Sequence, residues 1–141
     1  SEDITQGAKA VVSLMQAAEQ AAGIDPAGAQ IALEAIAVDG SLPEIYRQIA
    51  SFKSATKSGG SLSLDDRRLR LDALSAPGMS LRLLATEQLA MLDIEAGDTA
   101  AALEKLQGIV VDAEVTAGLR QRATQLIVAL GAEPDVLSGQ N

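Results

Sequence analysis

Residues 89–109 read LAMLDIEAGDTAAALEKLQGI. An apolar segment runs to Ala96 and breaks at Gly97-Asp98-Thr99. Glycine can end a helix in a left-handed turn that side chains resist. Asp98 or Thr99 can then cap the next helix by accepting its orphan backbone N–H bonds. After the turn, Ala102, Leu106 and Ile109 recur at i, i+4 and i+7, one face of a helix. Ala102 is small, so a neighbouring helix can approach closely there. The stretch is predicted to be a helical hairpin, two antiparallel helices joined by a tight turn.

The chain repeats this unit. Leu33 and Ile36 stand in LEAI, Leu71 and Leu74 in LDAL, Leu106 and Ile109 in LQGI, offset by 38 and then 35 residues. A second marker lies between them: Arg47-x-x-Ala50, Arg82-x-x-Ala85 and Arg120-x-x-Ala123, offset by 35 and then 38 residues. Each of these arginines is followed four residues later by a hydroxyl, Ser51, Thr86 or Thr124. Two interleaved markers near a 35-residue period predict a helical-hairpin solenoid.

The Gly97-Asp98 turn followed by Ala102, Leu106 and Ile109 resembles the second half of a tetratricopeptide repeat. Residues 83–132, LLATEQLAMLDIEAGDTAAALEKLQGIVVDAEVTAGLRQRATQLIVALGA, are similar to the C-terminal part of a tetratricopeptide-like family of bacterial inner-membrane proteins. That family includes the ancillary subunit of the Sec translocon. The resemblance covers roughly residues 43–132 and is weak over 1–40. It implies a non-catalytic protein-binding domain on the periplasmic face of the inner membrane. Such a domain would be tethered by a transmembrane helix outside this sequence, and would assist exported or envelope proteins. A cytoplasmic location is the alternative, and a homo-oligomerisation module is the alternative function.

Composition fits an all-α reading. The chain has 141 residues, 48% apolar but only 1% aromatic, so its core must be Ala, Leu, Ile and Val. Net charge is −8, which argues against nucleic acid, whose phosphates need Lys and Arg. The same charge disfavours adsorption to an anionic membrane. Cysteine and histidine are absent, which removes disulfides, thiolate metal sites and the commonest general base. No apolar window is long enough to span a membrane. No cofactor and no metal are expected.

Seven helices are predicted, near 4–22, 26–38, 43–57, 64–74, 80–96, 99–111 and 116–130. They make three hairpins plus a capping helix, one domain over 1–132, with a frayed tail over 133–141. The first helix carries the stripe Ile4, Ala8, Val11, Met15, Ala18 and Ala22. Ser58 to Ser61 reads as a lengthened turn. In the fourth helix Arg67 stands where Ala29 and Ala102 stand in the other hairpins, so this hairpin is expected to be splayed or shifted.

Catalysis has little to rest on. Asp65 with Asp66, or Glu87 with Asp93, are paired carboxylates only on paper, because a catalytic pair needs a cleft and a raised pKa. Arg67, Arg68 and Arg70 form the one basic cluster, and local pairing with Asp65, Asp66 and Asp72 is the ordinary expectation. Binding has two candidate faces. Tetratricopeptide proteins usually bind through the first helix of each hairpin. The resemblance then implies groove positions Leu84, Glu87 and Met91, mapping onto Ile49, Phe52 and Thr56, and onto Arg122, Gln125 and Ala129. The rival is the stripe Arg47, Arg82 and Arg120, expected as a solvated row or as a groove for a partner's carboxylates. The expected partner is a protein or peptide, such as a translocon component or an exported protein. The tetratricopeptide register also places Asp93 at a usually apolar packing position.

Overall fold

The computed structural model describes residues 2–21, 23–57 and 62–135, leaving aside the side chains of 2–6, 18 and 21. Seven helices and no strand occupy these residues. They are α1 (Glu2–Ala21), α2 (Pro26–Ala37), α3 (Glu44–Thr56), α4 (Leu64–Leu74), α5 (Arg82–Glu95), α6 (Thr99–Val110) and α7 (Ala117–Ala129). None is long and apolar enough to cross a membrane. The expected turn at Ser58 to Ser61, and the expected stripe positions Ile4, Ala18 and Ala22, lie outside what is described.

Local chemistry sets the helix ends. Asp25 caps α2, accepting from the Gly28 N–H at 3.0 Å, and Pro26 occupies the first turn, where a missing N–H costs nothing. Ser63 accepts from the Asp66 N–H at 3.1 Å, Asp98 from Ala101 at 3.0 Å and Thr116 from Leu119 at 3.2 Å. Gly97 stops α5 with φ +80°. Two bonds close that turn, Asp98 N–H to the Asp93 carbonyl at 2.8 Å and Gly97 N–H to Ile94 at 3.0 Å. Gly131 ends α7 the same way, with φ +86° and bonds from Ala132 to Ile127 and from Gly131 to Val128.

The chain gathers into two compact units, Ser1–Arg70 and Leu71–Asn141. In the first, α1 packs on α2 and α2 on α3, around Val11, Met15, Ala29, Leu33, Ile36 and Ala50. In the second, α5 packs on α6 and α6 on α7, around Ala90, Ala102, Leu106, Ile109, Val110, Leu119, Ala123 and Ile127.

Both sequence markers are core markers. The six Leu and Ile residues of the first are all buried, from 0% exposed at Leu106 to 6% at Ile36. Ala50, Ala85 and Ala123 of the second are each fully buried. Ala102 is fully buried as well, as a close helix contact requires. Half-buried Arg67, in the equivalent place on α4, instead donates to the Lys57 carbonyl at 3.1 Å. The tail expected to fray from 133 is tied down at its start. Gln107 of α6 donates to the Glu133 carbonyl at 2.8 Å and accepts from the Asp135 N–H at 2.6 Å. Residues 136–141 lie outside the description.

Candidate functional site

Helical spacing puts Glu87, Gln88, Met91 and Glu95 on one side of α5, and Arg122, Gln125, Leu126 and Ala129 on one side of α7. These eight residues line a groove of about 610 Å³ in the second unit. Five of them, Glu87, Met91, Arg122, Gln125 and Ala129, are the positions that the tetratricopeptide register assigned to a groove. Its floor is apolar, from Met91, Leu126 and Ala129. Leu84 lies outside this groove and lines a smaller depression of about 270 Å³ with Met79, Leu83 and Leu119; Arg122 borders both.

Glu87 does not stand free in the groove, as a carboxylate meant to fix a partner's polar end would. Its side chain is 9% exposed and is held by Arg122, whose Nε and Nη2 donate to the two carboxylate oxygens at 2.9 and 3.0 Å. A two-bonded guanidinium–carboxylate pair of this kind fixes both side chains in one geometry. The pair also holds the Arg122 guanidinium more firmly protonated than usual, through the Glu87 hydrogen bonds. One wall of the groove is therefore rigid and neutral.

Of the arginine stripe, Arg82 already holds two carboxylates of its own unit. Arg82 is half-buried, and its Nη1 and Nη2 donate to Asp112 at 2.9 and 3.1 Å, with a further bond to Glu114 at 2.7 Å. It thereby ties the start of α5 to the loop between α6 and α7. These bonds, with one from the Glu114 N–H, hold the Asp112 carboxyl below its ordinary range. Arg120 donates from Nε to the Val110 carbonyl at 3.4 Å. Arg47 belongs to the first unit and is half-buried, its Nε sequestered without a partner.

The counterpart groove positions of the first unit are less open. Ile49 is half-buried against the core of that unit. Phe52 and Thr56 are half-buried too, and the Thr56 hydroxyl bonds the Phe52 carbonyl at 2.9 Å.

Sequence reasoning missed a polar cluster in this unit. Arg70 was expected to pair along its own helix. It reaches Glu34 of α2 instead, through two bonds, and the Ser54 hydroxyl of α3 at 3.2 Å. Ser54 and Gln30, 1% and 3% exposed, complete the network by bonding each other and Glu34. The Arg70 hydrogen bonds dominate here. Against the opposing effect of burial, they hold the Glu34 carboxyl below its ordinary value. The one sequence signal for this cluster was polarity at Gln30, between the buried positions Ala29 and Leu33 of an apolar helix.

Asp93 is buried, as its packing position demands. It is tolerated there because the Lys105 ammonium of α6 meets it at 2.5 Å. Among the described residues no three acidic side chains converge as a metal site would need. The groove offers apolar contact, amide groups that donate and accept, and one acidic end at Glu95; these are the means of binding a chain segment. The chain matches no protein-family model, no curated protein and no solved structure.

Proposed function

We propose that this is a non-catalytic protein-interaction domain of tetratricopeptide-like construction, binding a segment of another protein in the α5–α7 groove. The supporting observation is the groove itself, where an apolar floor is flanked by Gln88 and Gln125. An amide at each side can pair with a partner's backbone while the floor takes its side chains. Met91, 38% exposed on that floor, is adaptable and suited to contacting varied side chains. On the resemblance, the setting would be the periplasmic face of a bacterial inner membrane, and the partner a translocon component or an exported protein.

A peptide array probed with the parent and with Met91→Asp tests this reading. Loss of binding in the variant, with unchanged thermal stability, supports the groove; retained binding rejects it.

A second reading, homo-oligomerisation, is favoured by a different observation. Helix α2 is apolar on two sides. Beyond its buried face, Ile31 stands 70% exposed with Ala27 and Ala35 on the same side of the helix, and Ile24 and Val38, 90% and 79% exposed, flank the helix at its two ends. An apolar row of this kind is a surface that a second copy can cover. Concentration-dependent sedimentation that Ile31→Asp abolishes would support this reading.

A further inference from the structure

Three of the four cations of the second unit are paired with carboxylates, and the fourth, Arg120, bonds a backbone carbonyl. Arg82 is held by Asp112 and Glu114, Lys105 by Asp93, Arg122 by Glu87, and Arg120 by a backbone carbonyl. Residues 71–141 hold ten Asp and Glu against four Arg and Lys, so this unit has a net charge of −6 out of −8 for the whole chain. At the groove the imbalance becomes local. Arg122 neutralises Glu87, while exposed Glu95, at the other end of the α5 lining, has no ion-pair partner among the described residues. Glu95 is also the last residue of its helix, where the backbone dipole is negative. Neither α5 nor α7 has a basic residue in its last turn to offset that field.

Resting on the groove reading, we infer that the occupant is a basic amphipathic segment of another protein. An apolar side chain would lie on Met91, Leu126 and Ala129, and a Lys or Arg beside it would reach Glu95. An acidic segment would find in the groove only Arg122, already paired with Glu87, because Arg120 does not line it. A lone cation would leave the apolar floor uncovered. Charge complementarity of this sort acts mainly through selection among partners and through the association rate, so binding should weaken as salt rises.

The test is an NMR titration of the full chain with two synthetic peptides sharing one leucine pattern, one with lysine and one with glutamate at the polar positions. The reporters are the Met91 methyl and the Gln125 side-chain amide. The lysine peptide is expected to shift both. Glu95→Lys should weaken it about tenfold, as reversal of a rim charge facing a cation would. Glu104→Lys changes the net charge equally but lies on a different depression, beside Lys105 and Gly108, and should cost far less. Equal losses in the two variants would mean attraction to net charge alone, overturning the inference. A glutamate peptide that shifts the reporters as strongly would overturn the charge selection and leave the groove standing. If neither peptide moves the reporters, the groove reading fails and this inference with it.

Discussion

The Glu87–Arg122 pair should respond asymmetrically to removal of its two members. Arg122→Ala strands a carboxylate that is 9% exposed. Stranding one charge of a fully buried pair costs about 3–5 kcal/mol. Here the Arg122 side chain is 53% exposed, so water can enter where it stood, and the expected cost falls to about 1–2 kcal/mol. Glu87→Leu does the opposite. It fills the buried position with apolar volume and releases an arginine that already reaches solvent, for about 0–1 kcal/mol in either direction. Urea denaturation of both variants and of the double variant measures the two costs and their coupling. If Glu87→Leu is the more destabilising, the pair is not the buried-acid, open-base arrangement described, and the groove wall is not rigid for the reason given.

Ala102→Leu should overpack the α5–α6 contact and destabilise by about 1–3 kcal/mol; a variant melting with the parent would show that Ala102 has room beside it. Acid stability should depend on Glu34, whose carboxyl sits below its ordinary value of 4.5. A depressed carboxyl contributes stability that is complete above that ordinary value and is lost as pH falls through the lower folded value. Arg70→Met should therefore flatten the loss of urea stability in the window from 4.5 downward, and an unchanged acid slope would refute the linkage.

The fold was legible because its determinants are local and periodic. Leu106 and Ile109 are buried for the same reason as Leu33 and Ile36: three residues apart on a helix is one face. The cap at Asp98 was readable, since a cap and the N–H it satisfies lie within three residues. What local spacing does not contain is the partner of a long side chain. Arg70 pairs with Glu34 across 36 residues, so a rule built on i, i+4 neighbours assigned it to the wrong carboxylates. The bonds from Gln107 to Glu133 and Asp135, 26 and 28 residues away, lie equally beyond local spacing.

The positions that line the groove and the charge they carry have separate causes. The 38-residue offset carries position: Glu87 and Met91 on α5 map onto Gln125 and Ala129 on α7, and all four line the groove. Charge is decided by the residues that depart from the repeat. Asp93 stands in a packing slot and consumes Lys105; Glu87 is buried and consumes Arg122; Arg82 is drawn into the α6–α7 loop by Asp112. The first two depart from the repeat and Arg82 obeys it, yet each pairing removes a cation from circulation and is made in space rather than along the chain. The acidic end at Glu95 is what remains after those subtractions. A site's chemistry is then read from departures that a repeat tolerates, as its scaffold is read from the residues that obey it.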